Sequence, residues 1–419
     1  MPPTRGNNPG GKNGHGTSAL TMWPELPDLI RQCMRDGFTE PRILDHLKTK
    51  GISISGSTLD RIKRKFQLPS VRRNPMSDAE IAQAVFQKAQ DDDPRGAIGT
   101  ENFKLRLSKE EGVFVAKPML RHLLKNWDPE ATDKRNPKIG TKKHKHGIWS
   151  AGPGEEWAFD QHEKLVPEMN IGVYGAIDKW SRSALMYKAV SRWRQRDVGS
   201  AIFVLCVQQE GGFPVTTHTD MGPETTDMCR IQIALREEHN PVLDIQELPP
   251  HVFTDSWLNI IKEQKWKDVF RKDLANVLDY FQKRNGVPYE VDNAVHVALA
   301  RWIWAQAVQL RLDQYVERNN VHRIRKNNKT LLPSGVSPME LMADPSKYNG
   351  TNLLTPLPKD QVNGLVQDYV PHDIFQFGTD EEVQVYEVVF RDLQCPAVHW
   401  TNAWQIFMDM LPVVQTYFV

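Results

Sequence analysis

Three acidic residues sit in separate, distinctive stretches of the chain. Asp160 closes Trp157-Ala158-Phe159-Asp160, and Asp220 closes Val215-Thr216-Thr217-His218-Thr219-Asp220. Glu263 stands in Asn259-Ile260-Ile261-Lys262-Glu263-Gln264-Lys265-Trp266. Two carboxylates at strand ends and a third on a later helix can hold a pair of divalent ions. Such ions, roughly 4 Å apart, clamp the attacking and leaving oxygens of a phosphodiester. His162 follows Asp160 by two residues and so shares its side of a strand; it either lines the same site or sits on the surface. Asp255 and Asp268 compete with Glu263 for the place of the third acid. On a helix, Asp268 points away from Glu263, which makes it the weaker of the two.

The stretches around these acids read as an α/β domain. After the first run come Ile171–Asp178 and Ala184–Val190, joined by a turn at Ser181-Arg182, which predicts an antiparallel hairpin. Asp178, beside Arg182 in that hairpin, reads as structural. Val198–Gln208 has the pattern of an amphipathic helix, and Pro214–Thr219 that of a short strand. Thr226–Glu237, Lys262–Phe281 and Asn293–Val316 are helical in pattern. Strands followed by flanking helices indicate a sheet covered by helices.

At 419 residues, 40% hydrophobic and 25% charged, the chain has the composition of a soluble protein with more than one domain. No apolar stretch approaches the roughly 20 residues of a membrane span, so no membrane partner is expected. The four cysteines (Cys33, Cys206, Cys229 and Cys395) are far apart, which argues against both a disulfide framework and a zinc knuckle and favours a reducing compartment. The net charge of +1 hides an asymmetry. Residues 1–150 carry 27 Lys and Arg against 17 Asp and Glu, whereas residues 151–419 carry 26 against 35. A basic front on an acidic body points to a nucleic-acid grip near the N-terminus.

The front half contains capped helical modules. Residues 1–20 read as a Gly/Asn/Pro-rich disordered tail without the apolar middle of a signal peptide. Residues 21–70 read as a helix-turn-helix. Its first helix ends at Gly37, Thr39 caps the second, and Ser55 or Ser57 caps the third. That third helix carries Arg61, Lys63, Arg64 and Lys65 on its other faces, as a major-groove reader requires. Residues 71–132 repeat the theme. Ser77–Glu80 forms a capping box, and a helix opened by Lys117-Pro118 carries Arg121 and Lys125 outward. Residues 133–150 form a basic linker whose Lys142, Lys143 and Lys145 can follow a phosphate backbone. Residues 151–345 hold the α/β domain. The last stretch, 346–419, reads as an acidic helical module; its sign argues for packing or protein assembly rather than DNA contact.

With these motifs in order, the chain resembles the integrase core of the retroviral integrase and DDE transposase superfamily. It is most similar to integrase-core proteins abundant in fungal genomes. The resemblance rests on Trp157-x-x-Asp160, Ile177-Asp178-x-x-Ser181-Arg182, Thr219-Asp220-Met221-Gly222 and Glu263-x-x-Trp266. It extends to Asn319-Asn320-x-His322-Arg323-Ile324-Arg325 and Leu332-Pro333-Ser334-Gly335-Val336-Ser337-Pro338-x-Glu340. It covers about residues 150–345. It implies an RNase H-like fold, a mixed five-stranded sheet flanked by helices, preceded by all-α helix-turn-helix modules. Asp160 would lie on the first strand, Asp220 at the end of the fourth, and Glu263 on a helix beside them. Together they would bind two Mg²⁺ or Mn²⁺ ions and form the catalytic triad. Gly222 matches a glycine at which the backbone turns sharply after the second acid. The implied partner is double-stranded DNA, both element ends and target, handled by a homo-oligomer. In a eukaryote the nucleus follows as the place of action.

Three functions compete. The first is a metal-dependent, transposon-derived enzyme that cleaves and joins DNA strands. The second is a catalytically inactive, domesticated DNA-binding protein that keeps the helix-turn-helix modules. The third, hydrolysis of RNA–DNA hybrids, has fold-level support only, and the helix-turn-helix front argues against it.

Overall fold

The computed structural model describes residues 19–128, 149–220, 222, 225–253, 260–328 and 330–418, with the side chains of 260–264 outside the description. Most of the N-terminal tail, the linker lysines Lys142, Lys143 and Lys145, and Asp255 therefore lie outside the described residues.

The described residues hold seven strands: β1 (Glu156–His162), β2 (Gly172–Asp178), β3 (Ala184–Val190), β4 (Gly212–Phe213), β5 (Thr216–Thr219), β6 (His251–Phe253) and β7 (Thr355–Pro356). Five of them form one mixed sheet in the order β3-β2-β1-β5-β6, and β4 pairs with β7 in a separate ribbon. β1, β2 and β3 form the expected antiparallel meander, while β5 and β6 run parallel to β1. Alternation along the strands sends Trp157, Phe159, Tyr174 and Ala176 into one core and Ala158, Val173, Ile177 and Ala189 into the other. All of β2 is buried, because helices cover both faces of the sheet.

On the first face lies the helix Arg196–Glu210, expected to be amphipathic but buried almost all round. The sheet covers one side of it, and the helices Thr226–His239 and Lys359–Tyr369 cover the other. The second face holds the 28-residue helix Ala294–Val321, capped by the Asn293 side chain on the amides of Val295 and His296. Beside it runs the segment expected as one continuous helix from Lys262 to Phe281. It is instead Ile260–Val269, a π turn at Phe270–Leu274, and Ala275–Gln282. The extra residue of the π turn coincides with a buried ionic hub. Asp273 Oδ1 accepts from Arg106 at 2.8 Å and from Arg318, and it lies 3.0 Å from Arg311 Nε as an ion pair. Because Arg106 belongs to the helix Thr100–Glu110 of the second N-terminal module, the hub ties that module to the α/β domain.

The acidic C-terminal stretch is not a module of its own. Its helix Lys359–Tyr369 enters one core, and Asp380–Asp392 and Ala403–Val414 enter the other. Trp404 Nε1 donates to the Phe281 carbonyl at 3.1 Å, and Trp400 Nε1 to that of Asp91 at 2.9 Å. The apolar faces that the long helix leaves open on the domain require this cover.

Both N-terminal modules have the expected helices, Leu26–Arg35, Glu40–Thr49 and Gly56–Lys65 in the first, and Asp78–Asp92, Thr100–Glu110 and Lys117–Trp127 in the second. Ser55, rather than Ser57, occupies the third N-cap and accepts from Thr58 N. Ser77 and Glu80 form the capping box. Each module has its own apolar core, and Leu105 and Val321 join that of the helix-turn-helix.

Candidate active site

Asp160 and Asp220 come together because of how their strands pair. In the parallel ladder Trp157 faces Thr217 and Ala158 faces His218. Carried two residues further, that register brings Asp160 level with Asp220, on neighbouring strands that run about 4.8 Å apart. Both carboxylates line one cleft of about 320 Å³ at this end of the sheet. Across β1, the residue paired with Asp160 is Gly175. A β-carbon there would stand 2.6 Å from the Tyr187 ring, so glycine is what lets the ring pack under the site.

The two acids differ in their surroundings. Asp160 Oδ1 accepts from the Gln161 amide at 2.9 Å, and its Oδ2 accepts from Trp266 Nε1 at 2.9 Å. Asp220 Oδ1 is buried with no hydrogen-bond partner among the described residues. After it, the Gly222 carbonyl accepts from Thr225 N and Oγ1, leading the chain into the helix Thr226–His239. A buried anionic oxygen without a donor is costly, and a hard divalent cation relieves that cost. The oxygen-only pair therefore fits Mg²⁺ or Mn²⁺ in donor chemistry. Among the described residues no group of three metal-ligating side chains converges.

Glu263 lies on the helix Ile260–Val269, three residues before Trp266. Trp266, buried and bonded to Asp160, thus moors that helix to the first acid. Lys265 moors it again, donating to Asn319 Oδ1, and burial pushes its amine down to about 8. Asn319 in turn donates to the Arg182 carbonyl at 3.1 Å, and Asn320 exchanges two bonds with the backbone of Ala184. The Asn-Asn pair is therefore a clamp between the long helix and the hairpin. Asp268 pairs with Lys272 at 2.6 Å, one turn along.

Glu163, which sequence reasoning missed, also lines the cleft. Its carboxylate is held by Arg194 at 3.1 Å and by Gln161 Nε2 at 3.1 Å. Its position just past a strand end was the only available signal. His162 is not a surface residue. It packs on Trp266 and Phe270 with centroids 4.9 and 5.4 Å apart, and its Nε2 is buried without a partner among the described residues. Burial, helped by the charge of Lys164, pushes it down to about 4, so the ring is neutral at neutral pH. Asp178 is fully buried and accepts from Gly154 N, Ser181 N and Ser181 Oγ at 2.6–2.9 Å. Burial raises its pKa against those donors, and its role is to close the hairpin.

A family model described as integrase core domain matches residues 149–343. Residues 149–343 are an integrase core. The sheet order and the helices on both faces make that core RNase H-like. The search of curated proteins returned no match. Among solved structures, the chain is similar to a cryo-EM structure of a simian T-cell lymphotropic virus intasome in complex with PP2A regulatory subunit B56 gamma. The identity is 13%, over 66% of this chain and 77% of that one, with a TM-score of 0.28.

Outside the integrase core, Arg61, Arg64 and Lys65 are exposed on the third helix, as are Arg121 and Lys125 on the second module. Lys63 is a correction. It is buried, with Nζ 2.9 Å from Glu40 Oε1, because the turn between the helices brings the start of the second helix over it. Glu340, from the Ser337-Pro338-x-Glu340 motif, forms a capping box with Ser337 and also accepts from Arg42 at 2.8 Å. That motif thus bolts the helix-turn-helix to the integrase core.

Proposed function

We propose that this protein binds double-stranded DNA and cleaves and joins its strands, with Asp160, Asp220 and Glu263 as the catalytic acids. The observation that carries the reading is the convergence of Asp160 and Asp220 in one cleft of an integrase core, with a buried oxygen of Asp220 left without a donor among the described residues. Asp160 and Asp220 would hold Mg²⁺ or Mn²⁺, with Glu263 as the third ligand. When bound, such a pair of ions polarises the attacking oxygen and stabilises the leaving one.

The chain's own residues set up that chemistry. Trp266 fixes one oxygen of Asp160 and keeps the Glu263 helix in place. The neutral His162 ring packs on Trp266 and so supports the residue that holds Asp160. Arg194 neutralises Glu163, so a fourth carboxylate does not compete at the cleft. Recognition of DNA falls to Arg61, Arg64, Lys65, Arg121 and Lys125, with the linker Lys142, Lys143 and Lys145 adding phosphate contacts. The protein would act as a homo-oligomer that pairs two DNA ends, in the nucleus if its source is a eukaryote.

The test is incubation of the purified protein with supercoiled plasmid and Mn²⁺, beside Asp160→Asn and Asp220→Asn. Nicked or joined product from wild type and none from either variant is the expected result. Product that persists in the variants or in chelator overturns the reading. Binding without any product leaves the protein a DNA-binding descendant of such an enzyme.

A further inference from the structure

We propose a second nucleic-acid site: a basic cleft between the helix-turn-helix and the integrase core that holds the sugar–phosphate backbone of DNA. The cleft has a volume of about 1170 Å³ and is walled by four separate pieces of chain. The third helix brings Arg64, the turn after it Arg72 and Arg73, the second module Lys104, and the segment that follows the long helix Arg325 and Lys326. None of these six has an ion-pair partner among the described residues, and all but Lys104 are exposed.

The acids in the same wall are mostly committed elsewhere. Asp36 is bound to Lys109 at 3.0 Å, Glu40 to Lys63 at 2.9 Å, and Glu101 to Lys117. Asp60 alone has no such partner among the described residues. The cleft therefore presents a strong positive field, and four of the six cations named are guanidinium groups, whose forked donors match phosphate oxygens.

The walls are held in place rather than hinged. Arg42 reaches from the helix-turn-helix to Glu340 and to Ser337 Oγ at 2.8 and 3.1 Å, and its guanidinium lies 4.3 Å over Phe38. Ser108 Oγ donates to the Arg35 carbonyl at 2.7 Å, joining the two N-terminal modules. Val321, at the end of the long helix, is buried in the helix-turn-helix core. A preformed cavity with cations from three stretches of chain, unpaired among the described residues, suits a polymer of regularly spaced charge. Its size admits one backbone strand, not the full width of a duplex, so the duplex would lie along the rim with one strand seated.

The choice of DNA over another polyanion rests on the proposed function, yet the two fail separately. Fluorescence anisotropy with a labelled 30-base-pair duplex in EDTA measures binding without chemistry. Arg72→Ala/Arg73→Ala and Arg325→Ala/Lys326→Ala are each expected to weaken binding about fivefold or more at 0.1 M salt. They are also expected to lower the slope of log affinity against log salt by about 1 to 2. Lys359→Ala/Arg391→Ala, on the acidic C-terminal stretch, should leave both unchanged. Wild-type affinity and slope in both cleft variants overturn the proposal, as does competition by polyglutamate equal to that by DNA at matched charge. Plasmid cleavage by Asp220→Asn, in contrast, overturns the catalytic reading and leaves the cleft standing.

Discussion

A buried carboxylate oxygen without a donor is the clearest sign of chemistry at the residue scale. Among the described residues Asp220 Oδ1 is such an atom, and a cation that binds the folded state alone raises stability by mass action. Mn²⁺ should therefore raise the Tm of wild type in differential scanning fluorimetry and leave that of Asp220→Asn where it was. Trp266 makes a second test. Trp266→Phe keeps an aromatic ring against His162 but removes the donor to Asp160, a bond to a charged group worth about 1.5–3 kcal/mol. Urea unfolding should show a loss of that order. His162 gives a pH signature. Its folded pKa of about 4 lies below the unfolded value of 6.5, so the unfolded chain takes up more protons in between. Stability should fall as pH drops from about 6.5 towards 4, and His162→Phe should flatten that part of the urea-midpoint profile.

Elements are positioned by a few polar anchors, several of which sit in the motifs that carry the family resemblance. Asn319 and Asn320 clamp the hairpin, Ser337 and Glu340 cap a short helix and hold Arg42, and Asp178 closes a turn. The π turn at Phe270–Leu274 sets Asp273 among Arg106, Arg311 and Arg318. Asp273→Asn would leave three buried guanidinium groups short of an anion, and breaking a buried ion pair from one side costs about 3–5 kcal/mol. A drop of that size in unfolding free energy, without loss of helical circular dichroism at low temperature, is the expected outcome. The apolar 3.6-residue and two-residue periods made these helices and strands legible. The π turn was not, because no periodicity encodes a partner more than 150 residues away in the chain.

At the scale of the molecule, the N-terminal modules, the integrase core and the C-terminal helices share buried surfaces. Trp404, Phe407 and Met410 cover the helices that carry Trp304 and Phe281, and Val362 covers the opposite core. A fragment limited to residues 149–345 should therefore expose apolar faces and aggregate, whereas the full chain stays monodisperse in size-exclusion chromatography. Arg42→Ala frees the helix-turn-helix from Glu340 and Ser337 and leaves both N-terminal cores otherwise intact, apart from the cation stacked over Phe38. Limited proteolysis between the helix-turn-helix and the integrase core should then become faster, with little change in Tm.

Local pattern was enough to find the strands, the capped helices and the two aspartates at strand ends, because alternation, capping and turn chemistry act over a few residues. It could not find Glu163 in the cleft, the burial of Lys63 under Glu40, or the basic cleft shared by Arg64 and Arg325. Those depend on which distant segments meet, and side chains acquire partners only once the chain has packed. The register between β1 and β5 belongs to that second class: composition marks both strands, but only their pairing sets Asp160 level with Asp220.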